Sequence, residues 1–117
     1  MNVTDFPGSG GFAPSDLFRM EVSERRGGKL MVLHGELDLA AVDQLEATLA
    51  SETGRLVVDL RHLRFVDASG LAVLLRADAR SRQDGLNLSF IAGQAVRRLF
   101  DCAHLPDPLN YVDLPDT

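Results

Sequence analysis

This chain of 117 residues has a single cysteine, Cys102, so no disulfide can form within it, and a reducing cytosol is the compartment that fits. It has no basic stripe interleaved with aromatics. Its 17 acids against 12 bases leave a formal charge of -5, which argues against nucleic acid as a direct partner. Met1 to Asp16 offers neither a basic n-region nor an apolar h-region, and the longest apolar runs, such as Leu71 to Leu75, are far shorter than a bilayer requires. No membrane contact and a cytoplasmic location are therefore expected. The chain also lacks a G-x-x-x-x-G-K-[ST] phosphate loop and any metal-ligand spacing among His34, His62 and His104. No cofactor or metal is expected, and nucleotide hydrolysis by this chain is disfavoured.

What is present is an ordinary globular mixture, 45% hydrophobic and 25% charged, long enough for one modest core. Residues 1–15 hold Pro7, Gly8, Ser9, Gly10, Gly11 and Pro14, which bury little and cost much entropy to order, so they read as a flexible tail whose Phe6 and Phe12 are expected to be solvated, docking on the domain or on a partner being the alternative. One domain is expected over residues 16–117. Phe18, Met20 and Val22 alternate with polar residues as a half-buried strand. The Glu24-Arg25-Arg26-Gly27-Gly28 turn then leads into a more central strand, Leu30-Met31-Val32-Leu33, which Gly35 ends, giving an antiparallel hairpin.

Beyond Gly35 the period changes. Val42, Leu45 and Leu49 predict a helix over Ala40–Ser51 with Asp38 placed to cap it, and Leu56–Leu60 reads as a buried strand. Leu71, Leu74 and Leu75 continue to Ala79, so a central helix is expected from Ser69 to Arg82. Leu86–Ile91 is a further strand, and Val96, Leu99 and Phe100 mark a helix from Gln94 to Ala103, with Cys102 read as a small buried hydrophobe. Pro106 and Pro108 leave little room for a full final helix.

Strand and helix alternating in this way imply parallel strands joined by right-handed crossovers. The expected fold is α/β, a mostly parallel sheet of four to five strands with an antiparallel hairpin strand, packed against three to four helices. Strand-to-helix junctions of such a sheet share its carboxyl edge, so Asp38, Asp67–Ser69 and Gly93–Gln94 are expected side by side.

The stretch Asp67-Ala68-Ser69-Gly70 sets a hydroxyl at the mouth of the central helix, where free amides and the helix dipole favour an anion. Ser and Asp before an apolar helix are also ordinary caps, so a structural and a functional reading of Asp38, Asp67 and Ser69 both stand. A serine nucleophile is a weaker alternative. It needs a base, for which only His34 and His62 are near in the chain, and the glycine two residues before the serine is missing.

Gly35-Glu36-Leu37-Asp38, Val57-Val58-Asp59-Leu60, Phe65-Val66-Asp67-Ala68-Ser69-Gly70-Leu71 and Ala95-Val96-Arg97-Arg98-Leu99-Phe100-Asp101, in that order, resemble the STAS domain of bacterial anti-sigma factor antagonists over about Leu17 to Val112. The resemblance implies a non-enzymatic module that binds an anti-sigma factor with serine kinase activity and so releases a sigma factor. Phosphorylation at Ser69 would switch it off, and a protein serine phosphatase would restore it. It implies Ser69 as phosphoacceptor, Asp38 and Asp67 flanking it on the binding surface, Gly70 as the small residue of close approach, and Ala68 where many members carry a first serine. A weak homodimer is the self-association it allows. The same fold serves elsewhere as an accessory subunit of a lipid ABC transporter or of a stress-sensing complex, the alternative role for this chain. Arg97 and Arg98 are expected to be solvated.

Overall fold

A computed structural model describes residues 17–113. The expected tail at 1–15, with Phe6 and Phe12, and the last residues, 114–117, lie outside the described residues. Alternation of Phe18 and Met20 with charged neighbours forms β1 (Phe18–Arg25), which turns through Arg26 and Gly27 into β2 (Gly28–Leu37). The remaining elements are α1 (Leu39–Ala50), β3 (Arg55–Val66), α2 (Ala68–Asp84), β4 (Asn87–Ile91) and α3 (Gln94–Ala103). β1 pairs antiparallel with β2, while β2, β3 and β4 run parallel, and the strands lie side by side in chain order. The α/β class, the hairpin strand and the parallel remainder are as expected, with four strands and three helices.

One core unites the sheet with the helices. Met31, Leu33, Leu56, Val58, Leu60 and Phe90 meet the α1 stripe Ala41, Val42, Leu45 and Leu49, and Leu71, Val73, Leu74 and Ala77 of α2. Val96 and Phe100 bring α3 onto the same core, against β3. Burying a leucine of this kind contributes about 1.5–3 kcal/mol, so the stripes rather than intrinsic propensity hold the helices in place.

Several expectations are corrected. Gly35 does not end β2. It takes a left-handed φ of 92° at an irregularity in the β2–β3 register, and the strand continues to Leu37. β3 does not stop at Leu60 but runs twelve residues to Val66. Its second half escapes an alternation search because Arg61, His62, Arg64 and Phe65 are all exposed and the register shifts beside them. Cys102 is exposed. It follows Phe100 by two residues, about 200° round a helix of 3.6 residues per turn, and so faces away from the core.

Among the described residues no helix follows α3. The chain returns beside β4 instead, where Phe90 N–H donates to Asn110 O at 2.8 Å and Val112 N–H donates to Phe90 O at 2.8 Å. No described helix is long and apolar enough to cross a membrane.

Candidate partner-binding site

The carboxyl ends of β2 and β3 are adjacent, with Leu37 opposite Val66, and Asp67 N–H donates to Leu37 O at 3.1 Å. Each strand therefore delivers its following aspartate to the same place. Asp38 is the N-cap of α1, its carboxylate accepting from Ala40 N–H at 3.1 Å. Asp67 is the N-cap of α2 and accepts from Gly70 N–H at 3.0 Å and from Ser69 Oγ at 2.6 Å. Ser69 is thus not the cap. It lies one residue inside the helix, half-buried, and donates its hydroxyl proton to the residue that is. The sequence pattern marks the turn and leaves the cap open between Asp67 and Ser69, because aspartate and serine are nearly equal capping residues, and the structure gives it to Asp67.

Burial pushes the Asp67 carboxyl up, but hydrogen bonds from the Ser69 hydroxyl and from the backbone N–H groups of Gly70, Leu39 and Ser69 outweigh it and hold the group below the ordinary carboxylate value. That carboxylate ties the starts of α1 and α2 together. Gly70 is fully enclosed: a Cβ there would stand 2.6 Å from Leu37 O and 2.6 Å from Leu37 Cγ. Only glycine lets α2 approach β2 so closely, and the approach sets the start of α2 against Leu37, the residue before Asp38. Ala68 is exposed next to Ser69.

Two neighbours have no counterpart in the sequence reading. Leu39, first residue of α1, is 74% exposed, and Phe65, two residues before Asp67, is 48% exposed. Their exposure beside a hydroxyl and two carboxylates makes this edge an apolar and acidic surface rather than a cleft.

The third junction is elsewhere. β4 pairs only with Arg55–Asp59 of β3, and Gly93 lies against the Leu60 carbonyl. β3 runs on for seven residues before Asp67, which sets Gly93–Gln94 roughly 20 Å back along the strand. The serine-nucleophile alternative also loses its base. The rings of His34 and His62 stack on each other with centroids 5.1 Å apart, and His34 Nε2 meets Glu21 at 2.7 Å, while the Ser69 hydroxyl engages Asp67. Among the described residues no three His, Cys, Asp or Glu side chains gather as a metal site. Arg97 and Arg98 are exposed.

A family model described as "Mlab, STAS domain" matches residues 20–110. The chain belongs to the STAS domain family. No curated protein matches it significantly in sequence. Among solved structures, this STAS domain is similar to an anti-sigma factor antagonist from Mycobacterium paratuberculosis, with a TM-score of 0.66 at 19% identity over 80% of this chain and 84% of that one. It is also similar to the anti-sigma factor antagonist SpoIIAA in its unphosphorylated form, with a TM-score of 0.62 at 24% identity over 85% of this chain and 89% of that one. The Bacillus cell fate determinant SpoIIAA in its phosphorylated form gives a TM-score of 0.61 at 23% identity, covering 85% and 92% of the two chains. At these identities the likeness carries the fold.

Proposed function

We propose that this STAS domain, as one unit over residues 16–117, is an anti-sigma factor antagonist whose partner surface is the edge formed by Asp38, Leu39, Phe65, Asp67 and Ser69, and that phosphorylation of Ser69 abolishes partner binding. The observation that carries this reading is the Ser69 hydroxyl, half-buried at the start of α2 and 2.6 Å from the Asp67 carboxylate, beside exposed Leu39 and Phe65. The partner is a cytoplasmic anti-sigma factor with serine kinase activity. It supplies ATP and the catalytic groups, while this chain is substrate and regulator. In the transfer a bond forms between Ser69 Oγ and the γ-phosphorus, the bond to the ADP leaving group breaks, and the hydroxyl proton passes to the kinase's base. A protein serine phosphatase reverses the modification.

Physical chemistry makes this a switch without a change of fold. A phosphate adds about 1.5 to 2 negative charges at Ser69, where two carboxylates already stand. It also removes the hydroxyl proton that Asp67 accepts, so two anions compete for the amides at the start of α2. Internally the helix dipole tolerates the added charge. Across an interface, burying Leu39 and Phe65 against the partner would force that charge out of water, and like charges there cost several kcal/mol.

The test is intact-mass and peptide-mass analysis after incubation with ATP and a kinase-type anti-sigma factor from the same genome, together with a pull-down. A single phosphate on Ser69, retention of Ser69→Ala and loss of Ser69→Asp by at least about tenfold are expected. Equal retention of both variants would contradict the reading. The matching family model is named for Mlab and not for an antagonist, so the alternative role as an accessory subunit of a lipid transporter stays the second reading. A transporter operon beside the gene, with no phosphate on Ser69, would favour it.

A further inference from the structure

At the opposite end of the sheet, the β1–β2 turn and the first residue of β3 surround a separate cavity of about 400 Å3. Arg25 pairs with Gly28, and Gly28 lies beside Arg55, where a Cβ would stand 2.9 Å from Arg55 Cβ. Arg55 in turn pairs with Asn87. The four residues make one row across all four strands, with side chains on one face and a glycine notch between two arginines. Spacing between neighbouring strands sets the two arginine Cα atoms about 10 Å apart, within reach of a shared anion for side chains of that length. One row further in, Val57 and Ser89 form the floor.

Three arginines that lack a carboxylate partner gather at this cavity. Among the described residues, Arg19, Lys29, Arg61, Arg64, Arg76, Arg80 and Arg82 each have a carboxylate within 4.0 Å. Arg25, Arg26 and Arg55 have none, nor do Arg97 and Arg98 on α3, although the chain carries 17 acids to 12 bases. Arg25 donates only to the Glu24 carbonyl, and the one acid lining the cavity is Asp113. Three uncompensated guanidinium groups over a floor that offers a hydroxyl and an apolar wall suit a phosphate, which accepts paired N–H bonds from arginine. The volume is that of a small-molecule site, roughly 300–1,000 Å3.

We infer that the notch between Arg25 and Arg55 binds a phosphate-bearing ligand, its phosphate held by the two guanidinium groups at Gly28 and its remaining body resting on Val57 and Ser89. This site lies at the amino ends of the parallel strands, the Ser69 surface at their carboxyl ends, and the two stand independently.

The test is a titration of the 15N-labelled protein at constant ionic strength with pyrophosphate, with glycerol 3-phosphate, and with phosphatidylcholine vesicles with or without phosphatidylglycerol. Saturable shifts at the Gly28 and Arg55 amides with pyrophosphate or glycerol 3-phosphate are expected, about tenfold weaker in Arg55→Gln and in Arg25→Gln. Both arginines are exposed, so unchanged dispersion elsewhere controls for folding. Free phosphate esters binding alone identify a soluble ligand. Binding confined to vesicles with phosphatidylglycerol, and lost in the variants, identifies a lipid headgroup. Shifts that sodium chloride reproduces, that persist in both variants, or that never saturate with any probe would overturn the inference.

Discussion

α2 and α3 each begin against a strand carbonyl that only a glycine can approach, yet one start is held by side-chain hydrogen bonds and the other by none. At α2 the glycine is Gly70, third in the helix, with its missing Cβ facing Leu37 O; the cap position is left to Asp67 and the second helical position to Ser69. At α3 the glycine is Gly93 and it occupies the cap itself. A Cβ there would stand 2.1 Å from Leu60 O, and no side chain caps the helix. Moving the close contact by three residues frees a helix start for side chains that hold or receive an anion.

The strongest way to break this contrast is Gly93→Ala. Overpacking typically costs about 1–3 kcal/mol, and with backbone rather than a flexible side chain in the way, a loss of about 3 kcal/mol is expected, read as a lower urea midpoint. Gly70→Ala should cost somewhat less, about 2 kcal/mol, because one of its three close contacts is the Leu37 side chain. A Gly93→Ala protein within about 0.5 kcal/mol of the parent would show that the two starts do not differ as described.

Removing the caps sharpens the comparison at smaller cost. Asp67→Ala should destabilise by about 1–2 kcal/mol and Asp38→Ala by about 1 kcal/mol, since Asp67 holds the Ser69 hydroxyl and amides of both helices while Asp38 holds one amide of α1. Equal losses would mean that Asp67 does no more than cap α2.

The smallest effect is on titration. The folded Asp67 pKa lies below its ordinary 3.8, so the carboxylate's contribution is fully present above that value and is lost as pH falls through the lowered one. Ser69→Ala removes one donor and should move the pKa upward, followed by carboxyl 13C shifts from pH 2 to 6. Asp59 supplies an internal control. Burial raises its pKa, the hydrogen bonds and charge of Arg61 outweigh that effect, and the net lowering should not respond to Ser69→Ala.

Much of this was legible in the sequence, for reasons particular residues make plain. The α3 bounds follow from Val96, Leu99 and Phe100 with Gly93 before them, and the α1 stripe follows from Val42, Leu45 and Leu49. Asp38 and Asp67 could be placed together because consecutive parallel strands put their junctions on one edge. The misplaced third junction came from strand length: β3 has twelve residues and β4 five, so their carboxyl ends do not align. Leu39 and Phe65 were illegible as surface residues, because hydrophobicity gives no sign of which apolar side chain at a junction has nothing to pack against.

The order of the strands also bears on how the chain assembles. Since β1, β2, β3 and β4 lie side by side in the order of synthesis, every strand meets a partner already made, and no early strand waits at a free edge for a distant segment. The β1–β2 hairpin closes a short loop, whereas each parallel pair must close a crossover of roughly 30 residues, as between Met31 and Val58 and between Val58 and Phe90, so the crossovers are the slower steps. The Asp38, Asp67 and Gly70 junction needs only β2, α1, β3 and the first turn of α2. That junction can therefore take shape as the chain emerges, with β4 and α3 arriving afterwards to lock the far side of β3.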